Sequence, residues 1–291
     1  MLLLATVFVA CSDDDDDDNG NGNGDEKGWV VTMNKQRGLY VHQKGEIELQ
    51  CAGSGKMEID WGDGTITKDL ELPLYKEYDE DFEDYTEFTH VYDKEGTYTI
   101  TLKGEGKLTY LRAFWTELTA INLTQNPHLI ELDLSANEIK TLDVSKCTNL
   151  ASLNCEECDV KTLDIAKCTK LVKIHCGDNN ELSTLDVTKC TELISFSCCN
   201  TKLTTLDLSK CTKLDYIECY NNQLTSLNIN GCSVLEELYA EDNQLDETAI
   251  NQIYNGLPDR TGKEAGYVNL RNNNGEGDKT IAERKNWDVS L

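Results

Sequence analysis

Apolar residues mark this chain with two successive rhythms. From Trp29 to about Lys107 they alternate with polar ones, as in Ile47, Leu49 and Cys51, then Tyr98, Ile100 and Leu102. A period of two belongs to strands with one face in a core. From Leu108 the rhythm lengthens. A frame with apolar residues at its first, fourth, sixth and eleventh places restarts at Leu108, Leu129, Leu150, Leu171, Leu193, Leu214 and Leu235. Clean copies read Leu129, Leu132, Leu134, Asn137, Ile139 and Leu214, Ile217, Cys219, Asn222, Leu224. The step is 21 residues, with one extra residue near Asn179 and Asn180. Each copy carries a second apolar block, such as Leu142, Val144 and Cys147 or Leu206, Leu208 and Cys211. After Leu245 the period stops. Ala249, Ile250, Ile253, Tyr254 and Leu257 have helical spacing, Pro258 and Gly262 break it, and Tyr267 to Leu270 reads as a strand.

Neither block of a repeat can bury its apolar side alone, whereas stacked coils bury both in one continuous core. The frame is that of the leucine-rich repeat. It places the cysteines in two inward columns. Cys155, Cys176, Cys198 and Cys219 occupy a strand position held elsewhere by Leu134 and Ala240, and Cys147, Cys168, Cys190, Cys211 and Cys232 occupy a turn position. Residues stacked in register have parallel Cβ vectors, which is poor disulfide geometry. The reading is therefore buried thiol ladders acting as small hydrophobes, with no metal site. Repeats reading Leu-Asp-Val-Ser-Lys-Cys-Thr-Asn-Leu resemble those of the internalin J type, whose strand carries its own cysteine ladder. That resemblance implies a bacterial surface adhesin.

The first rhythm contains Ile59-Asp60-Trp61-Gly62-Asp63-Gly64-Thr65, then His90-Val91-Tyr92, then Gly96-Thr97-Tyr98-Thr99-Ile100-Thr101-Leu102. Gly62 and Gly64 permit a tight turn capped by Asp63, and Trp61 is sized to fill the space between two sheets. The three motifs resemble the PKD family of Ig-like β-sandwiches, which implies structural roles for Trp61, Asp63, His90 and Tyr92. The expected fold is mainly β. An N-terminal Ig-like sandwich (29–107) precedes a leucine-rich-repeat solenoid of about seven coils with parallel strands (108–245) and a C-terminal α/β cap (246–291).

The first residues alter where such a protein would stand. Leu2 to Ala10 form a short apolar stretch directly before Cys11, followed by Ser12 and an unbroken run from Asp13 to Asp18. Nine residues are too few to span a bilayer. The pattern (1–11) resembles a lipoprotein signal whose cysteine, Cys11, becomes lipidated. The acidic, Asn/Gly-rich stretch (12–28) resembles the export signal and tether of Bacteroidetes surface lipoproteins. The implied location is the outer membrane, anchored by lipid at Cys11 and exposed at the cell surface. A formal net charge of −26 excludes a nucleic-acid partner, because phosphate backbones are held by clustered Lys and Arg.

Comparing columns locates the binding surface. Beside the second block the outward pairs barely change: Thr141/Asp143, Thr162/Asp164, Thr184/Asp186 and Thr205/Asp207. Beside the first block they vary freely, and that expected concave strand face carries the candidate ligand-binding residues Tyr110, Arg112, Phe114, Asn154, His175, Tyr216, Glu218, Tyr220 and Tyr239. Flat amphipathic rings are favoured at interfaces. No nucleophile elbow, phosphate loop or zinc-protease motif occurs, so neither catalysis nor a cofactor is expected. The expected function is protein-binding adhesion, with glycan capture or a passive envelope scaffold as alternatives.

Overall fold

A computed structural model of the chain describes residues 28–37, 45–74 and 85–290. Cys11, the acidic tether and the acidic segment 79–84 lie outside these residues. Eight strands come first: β1 (Trp29–Arg37), β2 (Glu46–Ser54), β3 (Lys56–Asp60), β4 (Ile66–Glu71), β5 (Thr86–Val91), β6 (Gly96–Gly104), β7 (Lys107–Arg112) and β8 (Leu118–Asn122). The coils follow with β9 (Glu131–Asp133), β10 (Leu142–Asp143), β11 (Ser152–Asn154), β12 (Leu163–Asp164), β13 (Lys173–His175), β14 (Ser195–Ser197), β15 (Thr205–Asp207), β16 (Tyr216–Glu218), β17 (Ser226–Asn228) and β18 (Glu237–Tyr239). Helix α1 (Glu247–Gly256), β19 (Gly266–Asn269), the short helix α2 (Thr280–Glu283) and β20 (Trp287–Ser290) end the described chain.

The fold is a mainly β solenoid of the leucine-rich-repeat kind. Strands β7, β9, β11, β13, β14, β16, β18, β19 and β20 run parallel in one sheet, each in register with the next. That ladder extends two strands beyond the seven frames counted in the sequence. Leu238, Val268 and Val289 are register partners, so the coil containing α1 is longer than its predecessors and the period is lost on paper although the stacking continues. In this coil α1 replaces the second apolar block. Asp246 caps it by accepting from Ala249 N at 2.8 Å, and Ile250, Ile253 and Tyr254 point inward beside β17. On the opposite wall the ladder is broken. β10 pairs with β12 and β15 with β17, while residues 183–186, just after the extra residue near Asn180, form no strand.

The asparagine of the frame holds consecutive coils together. Asn179 donates from Nδ2 to Cys155 O (2.8 Å) and Cys176 O (2.9 Å) and accepts from Val160 N (2.7 Å). Asn222, Asn243 and Asn273 repeat the arrangement with their own neighbours. Where Asn is missing, substitutes are poorer: Cys158 donates its thiol to Leu134 O, and Thr201 bonds to Cys198 O and Asn222 Oδ1.

The cysteine columns lie in the interior, and all twelve described cysteines are buried and unbridged. In the turn column the thiols of Cys168, Cys190, Cys211 and Cys232 face a carbonyl of the coil before, as in Cys168 to Val144 O (3.4 Å) and Cys232 to Leu208 O (3.5 Å). Cysteine there is a small apolar filler whose weak donor adds to a carbonyl that already accepts a backbone N–H, Val144 O from Cys147 N and Leu208 O from Cys211 N. Burial pushes these thiols up, to about 12 at Cys147, Cys190 and Cys232 and about 11 at Cys168 and Cys211. Cys155 and Cys198 are pushed well above the usual thiol range for the same reason. At pH 8 the reactive thiolate is then roughly a thousandth of the population or less. Iodoacetamide at pH 8 is accordingly expected to leave the ladder cysteines of the native protein unlabelled. After unfolding without reductant all of them should titrate as free thiols, and near-zero free thiol would mean that they are bridged.

The N-terminal strands are continuous with the solenoid in both walls. β2 pairs antiparallel with β7, the first strand of the long sheet, and β5 lies beyond β2 at its edge. In the other sheet, ordered β4-β3-β6-β1-β8, it is the solenoid's own β8 that pairs with β1. The boundary expected at 107/108 is therefore a shared pair of sheets. At its centre Lys35 and Glu117 are both buried, with Lys35 Nζ 3.1 Å from Glu117 Oε2 and donating to Thr116 O at 2.9 Å. Asn126 Nδ2 adds a bond to Val30 O at 2.8 Å.

Within this unit, Trp61 is buried and donates from Nε1 to Thr67 Oγ1, and Tyr92 OH donates to Trp61 O at 2.8 Å. His90 stacks on Trp61 with ring centroids 4.8 Å apart, and its Nε2 lies 2.7 Å from Asp63 Oδ2. Asp63 Oδ1 accepts from Thr65 N, closing the Gly62–Gly64 turn. The four residues singled out by motif thus form one connected cluster.

Candidate ligand-binding face

Because Leu132, Leu153, Ile174, Phe196, Ile217 and Leu238 point into the core at the centre of their strands, the flanking residues point out. Strand register aligns them in columns. One runs Tyr110, Glu131, Ser152, Lys173, Ser195, Tyr216, Glu237, Tyr267; the next runs Arg112, Asp133, Asn154, His175, Ser197, Glu218, Tyr239, Asn269. A third column follows two residues on, with Phe114, Glu156, Gly177, Cys199, Tyr220 and Glu241.

The nine candidate residues therefore share one face but not one environment. Tyr110 is 7% exposed, packed against the Tyr85 ring at 6.0 Å, and offers little surface to a ligand. Arg112 is engaged within the chain: Nε is 3.1 Å from Asp133 Oδ2 and the guanidinium lies over the Phe114 ring, 5.3 Å from its centroid. Phe114 and its neighbour Trp115 are about half exposed. Asn154 spends its Oδ1 on the Glu156 N–H at 3.2 Å, and half-buried His175 stands one strand further on. At the far end Tyr216, Tyr239 and Tyr267 form a chain of rings with centroids 5.8 and 5.4 Å apart. Tyr239 OH donates to Glu237 Oε2 at 2.8 Å.

Three residues not singled out in the sequence line the column that leads to this end. Glu156 and Glu241 stand in the column of Tyr220, and Cys199 meets the Tyr220 hydroxyl and lies over Gly177. Burial raises the Glu156 carboxyl above its ordinary value; His175 opposes this, and the charges of Asp178, Glu218 and Glu157 add to it. Glu241 is raised by burial too, with Asp242 and Glu218 adding to it. Its Oε2 is enclosed and has no hydrogen-bond partner. Among the described residues neither Glu156, Glu218, Glu237 nor Glu241 forms an ion pair, although Arg271 lies close enough to Glu241 to be felt. The far end is thus a tyrosine surface set among carboxylates that form no ion pair, with Arg271 following Glu241 in the same column.

The opposite wall differs in kind. A groove of about 870 Å³ runs along Thr141, Asp143, Thr162, Asp164, Thr184 and Asp186. Its aspartates are occupied: each accepts the backbone N–H two residues on, Asp143 from Ser145, Asp164 from Ala166 and Asp186 from Thr188, at 2.9–3.0 Å. The Ser145 bonds, and beyond them the Lys146 charge, hold the Asp143 carboxyl below its ordinary value. The invariance of this column reflects turn geometry.

The coils have counterparts among solved structures. An internalin C2 from Listeria monocytogenes is similar over 63% of this chain and 80% of its own, at 21% identity and TM-score 0.52. An internalin F from the same species matches 58% of this chain and 49% of its own, at 20% identity and TM-score 0.50. The functional domain of InlJ from L. monocytogenes, which includes a cysteine ladder, matches 61% and 47%, at 23% identity and TM-score 0.44. The shared fold is the leucine-rich-repeat solenoid. The present chain spans about half the length of the InlJ and internalin F chains. No protein-family model matches the sequence. No curated protein matches it either.

Proposed function

We propose that the protein is a non-enzymatic, cell-surface binding protein whose outer long-sheet face engages a protein on another cell, with the N-terminal strands, read as a PKD-like sandwich, holding that face away from a lipid anchor at Cys11. One observation carries the reading: Tyr216, Tyr220 and Tyr239 gather on a face whose outward residues vary from coil to coil, while the opposite wall repeats itself to satisfy its own turns. The internalin-like fold supports an interaction scaffold. The rings Tyr216, Tyr239 and Tyr267 also favour a second reading, capture of glycans by stacking on aromatic faces.

Binding measured on arrays of mucins, matrix proteins and purified glycans separates the two. The triple variant Tyr216→Ala/Tyr220→Ala/Tyr239→Ala is expected to lose binding at least tenfold, while Thr162→Ala/Thr184→Ala on the opposite wall binds as before. Binding that survives the triple change would place the site elsewhere. Fatty-acid labelling lost in Cys11→Ser, together with protease shaving of intact cells, tests the anchor and its exposure. Full protection from protease would remove the adhesin reading.

A further inference from the structure

The two ends of the binding face differ in one respect that indicates a ligand. At the first coil an aromatic ring, a carboxylate and a cation form a closed set, with Arg112 between Phe114 and Asp133. At coils six and seven the same columns supply rings and carboxylates, Tyr220 and Tyr239 beside Glu218 and Glu241, without a paired cation. Resting on the proposed function, we propose that this end is a receptor for a guanidinium or ammonium side chain, so that the partner presents an Arg- or Lys-rich segment to the surface around Glu218.

Four features support it. Glu218 is the hub, since its charge is felt by Glu156, Tyr216, Tyr220, Tyr239 and Glu241. Glu241 holds an enclosed oxygen with nothing to accept from, a cost that a donor from outside would remove. Cations over tyrosine faces gain from the ring quadrupole, most when water is excluded. Finally, the carboxylates are too dispersed to hold a metal: among the described residues no cluster of three or more acidic, His or Cys side chains has that geometry. A bulky, multi-donor organic cation spans such a spread and a small ion does not. The net charge of −26 would steer a basic partner toward the protein, but the local pattern decides where it lands.

Isothermal titration calorimetry at low salt with capped hexa-arginine tests this directly, with hexalysine and maltohexaose as comparison probes. Hexa-arginine is expected to bind with 1:1 stoichiometry. Binding should weaken at least tenfold in Glu218→Gln/Glu241→Gln, a nearly isosteric change, and again in Tyr239→Ala. Asp164→Asn/Asp186→Asn removes as much charge from the other wall and should change affinity less than twofold. Equal weakening by the two charge pairs would reduce the effect to general attraction and overturn the proposal, as would the absence of hexa-arginine binding, or calcium displacing the peptide at equimolar concentration. If hexa-arginine fails while the triple tyrosine variant still loses an array partner, the cation receptor falls and the binding face stands.

Discussion

Replacing Lys35 with methionine is expected to destabilise the protein by about 3–5 kcal/mol, because it leaves the Glu117 carboxylate buried without its partner. For a domain of this size that corresponds to a fall in Tm of roughly 10 °C. Lys35 continues the inward alternation of Trp29, Val31 and Met33, so its ammonium stands in the core between β1 and β8. Burial lowers its pKa, and the Glu117 hydrogen bond opposes that. Methionine fills similar space without the charge. Glu117→Met should be harmful for the mirror-image reason, whereas Lys35→Met/Glu117→Met should recover most of the loss, since apolar replacement of a whole buried pair is commonly neutral or better. Thermal and urea unfolding of the four proteins completes the cycle. Additive losses would show that the two residues contribute by packing alone.

This pair also explains why the sequence suggests two domains where strand pairing in two sheets joins the N-terminal strands to the first coil. The alternation that ends at Lys107 and the frame that begins at Leu108 change period at one point, which on paper is a boundary. What joins the units is non-local: β2 to β7 across more than fifty residues, β1 to β8 across more than eighty, and Lys35 to Glu117 across 82. Antiparallel pairing leaves no spacing signature when its partners lie so far apart. Lys35 was visible as a charge in an apolar phase, but nothing near it in sequence names Glu117.

The coils were legible because each repeat places the same residue in the same column, so Leu132, Cys155 and Asn222 could be assigned by counting. The same counting separated the varied face from the Thr/Asp wall. It failed where a coil changes length, as after Leu245, where α1 lengthens the turn while Val268 stays in register with Leu238. For the site, tyrosines drew notice as isolated residues, but the carboxylates did not. With 53 acidic residues in the chain no single Glu is informative. Glu156 and Glu241 become significant once they are seen to share the column of Tyr220 and to form no ion pair. Tyr110 and Arg112 occupy the same columns, yet the neighbouring N-terminal strands and Asp133 engage them first, a difference that only packing reveals.

Asn137→Ala should be the most damaging change to the repeat frame itself, at roughly 3–5 kcal/mol. Its Oδ1 accepts from Thr116 N (3.1 Å) and Leu118 N (2.9 Å), and its Nδ2 donates to Ala113 O and Leu134 O, both at 2.7 Å. All of these groups are buried from water, and each orphaned one costs about 1–3 kcal/mol. Two of the bonded residues, Thr116 and Leu118, flank Glu117, so the loss reaches the junction of the sheets. Asn222 holds three carbonyls as Asn137 does but only one backbone N–H, that of Leu203, so Asn222→Ala is expected to cost about 1–3 kcal/mol less. Cys158 occupies the same column with a single thiol bond to Leu134 O, so Cys158→Ala should cost only about 1 kcal/mol. The order Asn137 over Asn222 over Cys158 follows from the number of backbone groups each satisfies, and it is read from urea unfolding of the three variants. Equal losses would mean that the column works by filling volume, and the asparagines would then be exchangeable for any side chain of their size.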